Sequence, residues 1–191
     1  MADHDRSNPW TRLASRSVYD NPWIAVREDR VVHPDGSPGI YGVVQFKNRA
    51  VGVLPIDEGG RVWLVGQYRY PLDQYSWEIP EGGGPLDEAP EVAARRELRE
   101  ETGLSAGRLE LIATVHLSNS ISDELAYLFR ATELTPGPSA PEGTERIEVR
   151  IVEWSEAWEM LRVGAITDSL TVIALLHEAV RRSKEEDGGG R

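Results

Sequence analysis

Apolar and polar positions change period several times along this chain. Residues 1–16 are mostly polar and predict a loose start. From Tyr19 to Phe46 the pattern is that of short strands, with 24–32 and 40–46 separated by the turn cluster Pro34-Asp35-Gly36-Ser37-Pro38-Gly39. This predicts a small antiparallel sheet ahead of the main domain. Strands follow over 50–56 and 61–70, joined across Asp57-Glu58-Gly59-Gly60, a hairpin signal. A short strand at 77–79 feeds a glycine turn at Gly82-Gly83-Gly84.

The period then becomes helical. Pro90 suits a first helical turn, residues 91–102 continue as a helix, and Gly103 fits a left-handed C-terminal cap. Two strands at 110–117 and 125–132 precede a Pro- and Gly-rich loop from Thr135 to Gly143, and a further strand covers 146–154. Ser155 is an N-cap candidate for a short helix to Leu161. Asp168 is one for a last helix through Arg181, with Leu170, Ile173, Ala174, His177 and Val180 on one face. Residues 184–191 end in charge and glycine and are expected to be disordered. Strands mixed with three helices imply an α/β fold: a mixed sheet with helices on both faces. The expected organisation is an N-terminal β subdomain (1–46), a main domain (47–183) and a tail (184–191).

One helix face changes this picture from architecture to chemistry. Glu100 and Glu101 lie three and four residues after Glu97 and share its face. Like charges at that spacing repel by about 0.2–0.5 kcal/mol per pair, so a stable fold needs a reason to gather them. A bound divalent cation supplies one, and an all-oxygen donor set suits Mg²⁺ or Mn²⁺ better than zinc.

Composition narrows the partners. A net charge of −11 over 191 residues argues against a nucleic-acid backbone binder and against an anionic membrane surface. It still permits a pyrophosphate ligand if metal ions invert the local field. There is no Cys, so disulfides and thiolate zinc sites are excluded. The four histidines, His4, His33, His116 and His177, show no ligand spacing. The polar N-terminus has no apolar signal region and no run approaches a membrane span, so the expected setting is cytoplasmic.

The pattern Gly, five residues, Glu, seven residues, Arg-Glu-apolar-any-Glu-Glu-any-Gly-apolar fits at Gly82, Glu88, Arg96, Glu97, Leu98, Glu100, Glu101, Gly103 and Leu104 without departure. It resembles the Nudix box. The resemblance implies an α/β/α sandwich and metal-dependent hydrolysis of nucleoside diphosphates linked to another moiety. It assigns Glu97 and Glu101 as metal ligands, Glu100 as a helper, and the backbone carbonyl of Glu81 as a further ligand. Glu88 and Arg96 would fix the loop against the helix.

The flanking segments, Val65 to Pro71 and Ser76 to Gly83, resemble the branch that cleaves ADP-ribose and other nucleotide sugars. In that branch the residue matching Arg69 touches substrate phosphate and the one matching Glu78 lies near the nucleotide. The general base is often a glutamate in the loop before the last long strand. Glu145 matches best and Glu142 second, with Glu100 a rival. The N-terminal sheet often exchanges between two subunits, which implies a homodimer and makes Tyr19 and Trp23 candidates to stack on a base. The segment from His116 to Glu124 lacks the proline usual in the ADP-ribose subgroup. The expected reaction is therefore hydrolysis of a nucleotide sugar, first ADP-ribose to AMP and ribose 5-phosphate. The alternatives are GDP-mannose, another nucleoside diphosphate derivative, or a sensor that binds without cutting.

Overall fold

The computed structural model describes residues 7–138 and 146–188 and divides the chain into two compact units, Met1–Lys47 with His116–Glu124, and Asn48–Val115 with Leu125–Arg191. The first unit is a three-stranded antiparallel sheet of β1 (Thr11–Asp20), β2 (Ile24–Val32) and β3 (Pro38–Phe46) in that order. Strand β1 takes up residues 11–16 of the start expected to be loose, and residues 1–6 of it lie outside the described residues. Every residue of it is exposed, so no alternation of burial marks it, and it is held by ladder pairing with β2 from Thr11↔Val32 to Asp20↔Ala25. Segment 116–124 joins this unit because it bonds to β3: Val44 N–H donates to the Ile121 carbonyl, Phe46 N–H to Asp123 Oδ1, and the Tyr41 hydroxyl to the Ser120 carbonyl. Trp10 packs against His33 and edge-on against Tyr41.

The second unit holds two sheets. One has the order β7 (Glu81–Pro85), β4 (Asn48–Pro55), β9 (Leu125–Pro136), β8 (Leu104–His116). It is mixed, since β4 runs antiparallel to β7 and parallel to β9. The other has the order β10 (Glu148–Val152), β5 (Val62–Arg69), β6 (Gln74–Glu78). The turn at Asp57–Gly60 forms as expected, with Gly60 at φ 79°, but its flanking strands belong to different sheets and meet only at the Ile56↔Val62 bridge.

Helix α1 (Pro90–Thr102) covers the face of the mixed sheet that carries Val51, Val53, Phe129 and Ala131, packing Ala93, Ala94 and Leu98 against them. Side chains alternate across a strand, so Arg130 projects the other way. There it meets Glu178 of α3 (Ser169–Gly188). The mixed sheet therefore has one helix on each face, the α/β/α arrangement expected. Gly103 closes α1 at φ 73°, its N–H bonded to the Arg99 carbonyl.

Three local readings are corrected. The glycines at 82–84 form part of strand β7, not a turn, because they pair with Val51, Ala50 and Arg49 of β4. Helix α2 (Trp154–Arg162) starts before Ser155, with Glu153 at the N-cap position and no side-chain cap. The earlier start lets Trp154 stack on Trp158 one turn on. The buried stripe of α3 comprises Leu170, Thr171, Ala174, Leu175 and Glu178, while His177 and Val180 are exposed. That helix continues to Gly188, supported by Arg181–Glu185 and Arg182–Glu178 pairs at helical spacing. Among the described residues no helix is long and apolar enough to cross a membrane.

Candidate active site

The second unit assembles two groups of carboxylates that share one backbone contact. The first belongs to α1. Arg96 lies at its centre, with Nη1 donating to Glu97 Oε1 at 2.7 Å and to Glu100 Oε2 at 3.1 Å. Its Nη2 reaches the Gly83 carbonyl at 2.9 Å and Glu88 Oε2 at 3.4 Å. Arg96 thus ties the helix to strand β7 and to the turn carrying Glu88. Burial alone would lower its affinity for a proton, but Glu97 and Glu100 raise it, so it stays charged. Gly82 is required by contact: a Cβ there would run into the Glu97 carboxylate. Gly84 makes the matching approach to the helix, where a Cβ would stand 2.8 Å from that of Ala93.

The second group stands at the junction of β6 and β7. Glu78 is the last residue of β6 and Glu81 the first of β7, with Asp168 arriving from the start of α3. Carboxylate oxygens of Glu78, Glu81 and Asp168 lie within 4.8 Å of one another. Arg69, at the end of β5, is their organic counter-ion. Its Nε donates to Glu78 Oε1 at 2.9 Å and its Nη2 to Glu81 Oε1 at 2.6 Å. Glu78 is almost fully buried, at 2% exposure, which excludes a solvent-facing role. Glu81 is pushed well above the usual carboxylate range, first by burial and then by the neighbouring charges of Asp168 and Glu78, against the pull of Arg69.

The groups meet where the Glu81 N–H donates to Glu101 Oε2 at 3.0 Å. Glu101 is buried, at 3% exposure, on the inner side of α1. The box helix and the 78–81 junction are therefore one constellation.

The donor chemistry fits a hard divalent cation. The converging acidic side chains all offer carboxylate oxygen. Glu81 Oε2 is buried without a hydrogen-bond partner among the described residues, and such an atom is costly unless something meets it.

Of the residues singled out in the sequence, Arg69, Glu78, Glu81, Gly82, Glu88, Arg96, Glu97, Glu100, Glu101 and Gly103 are all in this unit, from β5 to the end of α1. Tyr19 and Trp23 belong to the N-terminal unit and are exposed. Glu142 and Glu145 lie outside the described residues. The sequence reading missed Asp168 as a site residue. It does cap α3, its Oδ2 accepting the Thr171 N–H at 2.7 Å, and that local role hid the second one.

This fold and site are those of a pyrophosphate-directed hydrolase class. The NUDIX domain matches residues 46–173, and a nucleoside diphosphate sugar hydrolase N-terminal domain matches residues 10–44. The chain belongs to the Nudix family. It is 30% identical over 178 residues to the ADP-ribose pyrophosphatase of Bacillus subtilis strain 168, covering 90% of this chain and 96% of that one. It is also 30% identical over 182 residues to the ADP-ribose pyrophosphatase of Mycobacterium tuberculosis H37Rv, covering 92% and 84%. In fold it resembles a solved structure described as an ADP compounds hydrolase, with a TM-score of 0.82 at 21% identity, covering 95% of this chain and 96% of the other.

Proposed function

We propose that this protein hydrolyses the pyrophosphate of a nucleotide sugar with the help of Mg²⁺ or Mn²⁺, and that ADP-ribose, giving AMP and ribose 5-phosphate, is its first substrate. The observation that carries this reading is the Glu81–Glu101 contact, which joins the complete box to the Arg69 cluster. Similarity over most of the length of two ADP-ribose pyrophosphatases supports the choice of substrate.

Glu97 and Glu101 would hold the cation, with Glu100 and the Glu81 carbonyl beside them. The cation supplies charge neutralisation at the phosphoryl oxygens and a lowered pKa for bound water. Arg69 orients the pyrophosphate: its planar fork matches phosphate oxygens, and it is about one-third exposed, enough to be reached. Asp168 and Glu78 keep that fork charged and aimed. Arg96 holds Glu97 and Glu100 in place from behind. Glu145 is the proposed base that accepts the proton of the attacking water, with Glu100 and then Glu142 as alternatives. Tyr19 and Trp23 are proposed to offer aromatic faces to the base of the nucleotide.

The protein is further proposed to be a cytoplasmic homodimer formed through its N-terminal unit. Strand β1 supports this. Among the described residues it pairs only with β2, it is ten residues long, and Leu13, Val18 and Tyr19 on it are exposed. An unprotected edge of that length ordinarily finds a partner.

The test is a panel of ADP-ribose, GDP-mannose, NADH and diadenosine polyphosphates with each metal. Release of AMP from ADP-ribose supports the proposal. Cleavage of GDP-mannose alone moves the specificity, and tight binding of ADP-ribose with no AMP released makes the protein a sensor.

A further inference from the structure

Ile79 and Pro80 carry the chain out of one sheet and into the other, between Glu78 at the end of β6 and Glu81 at the start of β7. Backbone groups at such a crossing lack a ladder partner and must be met elsewhere. The Pro80 carbonyl accepts the Val53 N–H at 2.8 Å. The Ile79 N–H donates at 2.9 Å to Oγ1 of Thr171, a residue far along the chain in the first turn of α3.

Thr171 is fully buried, and its hydroxyl works in both directions. It donates to Asp168 Oδ2 at 2.8 Å while accepting from Ile79. An ionised carboxylate only accepts, so the direction of this relay is fixed: Asp168 takes the hydroxyl proton, and the oxygen lone pairs are left for Ile79. The Asp168 cap does not need that hydroxyl, because the Thr171 backbone N–H already bonds the same Oδ2 at 2.7 Å. A valine would fill the same buried space. What the hydroxyl adds over valine is a bridge, one bond to Asp168 Oδ2 and one that holds the amide between Glu78 and Glu81.

We propose that Thr171 is a positioning residue for hydrolysis: by fixing Ile79 it sets where the Glu78 and Glu81 carboxylates and the Glu81 main chain stand relative to Glu101. This rests on the reading above that this constellation holds the cation. Misplacement by about 1 Å is enough to cost on the order of 10²-fold in rate, and loss of an orienting group near a metal weakens its binding by roughly 10–100-fold.

The experiment compares the parent protein with T171V and T171S. Mn²⁺ binding to the metal-stripped proteins is followed by calorimetry without substrate, and kcat and KM are measured for ADP-ribose. The expected result for T171V is Mn²⁺ affinity lowered about tenfold or more and a fall in kcat with little change in KM, both returned to near the parent value in T171S. A T171V protein that binds Mn²⁺ and turns over like the parent overturns the proposal, even if it melts earlier. A T171S protein as impaired as T171V also overturns it, since shape and not the hydroxyl would then matter. Should T171V not fold, T171A is measured and judged on the same outcomes. If the parent proves active without any divalent cation, the metal reading fails separately, and the kcat of T171V against T171S decides the role of Thr171 alone.

Discussion

The carboxylate of Glu101 accepts the backbone N–H of Glu81 at 3.0 Å, so a buried glutamate on the box helix is bonded to the strand that follows Glu78. A glutamine at 101 can still accept that hydrogen bond but carries no charge. Glu101→Gln is therefore expected to leave the melting temperature nearly unchanged and to lower kcat for ADP-ribose by at least about 100-fold, the loss that follows when the charge holding a metal is removed. Steady-state kinetics beside a thermal melt check both halves. Parent-like turnover would remove Glu101 from the proposed ligand set.

Two glycines in β7 are expected to fail differently. At Gly82 an added Cβ meets the Glu97 carboxylate, the movable end of a side chain in the proposed metal site. Gly82→Ala should therefore reduce Mn²⁺ affinity with a small loss of stability. At Gly84 the Cβ meets that of Ala93, which belongs to the packed core under α1. Gly84→Ala should cost about 1–3 kcal/mol of stability, the usual range for overpacking. Urea unfolding and Mn²⁺ calorimetry on both variants separate the two effects.

Glu178 provides a test by pH. It is buried on α3, where Oε2 accepts from Arg130 Nε at 2.9 Å and Arg181 Nε at 2.8 Å, and Oε1 accepts from Arg182 Nε at 2.8 Å. Burial works to raise its pKa, but the three arginines outweigh it and the group lies below the ordinary carboxylate range. Its stabilisation is thus full above the unfolded value of about 4.3. It is lost as pH falls through the lower folded value. Glu178→Gln should lower stability near neutrality by roughly 1–3 kcal/mol, because charge-assisted bonds to three arginines become neutral ones while the partly exposed Arg181 keeps Glu185. It should also flatten the dependence of stability on pH in that acidic window. Chemical denaturation at a series of pH values reads both.

For the N-terminal unit, light scattering coupled to size exclusion is expected to give twice the chain mass of 21.3 kDa. Trp23→Ala should raise KM for ADP-ribose with little change in kcat if the exposed indole stacks on the base, and a KM equal to the parent's would leave Trp23 without that role.

The features visible in the sequence were those with local causes. The box helix announced itself through Pro90, the Glu97–Glu100–Glu101 face and the cap at Gly103, and Asp168 through its place before an apolar run. What depended on long-range partners stayed hidden. Strand β1 buries nothing, so its residues carry no period to detect. The run Gly82-Gly83-Gly84 looks like a turn by composition and becomes a strand because β4 pairs with it while Glu97 and Ala93 press against it. The inner stripe of α3 includes Thr171 and Glu178, polar residues whose burial is repaid by Ile79 and by three arginines. A hydrophobicity pattern therefore rotates that helix the wrong way. The grouping of Asp168 with Glu78 and Glu81 comes only from tertiary folding.

Metal-dependent hydrolysis is tested most directly by following the conversion of ADP-ribose to AMP and ribose 5-phosphate as Mg²⁺ is titrated into metal-stripped protein. The expected result is no AMP at zero metal and a saturable rise as Mg²⁺ is added. AMP formation that persists in excess chelator, or no AMP at any concentration of Mg²⁺ or Mn²⁺, would contradict it.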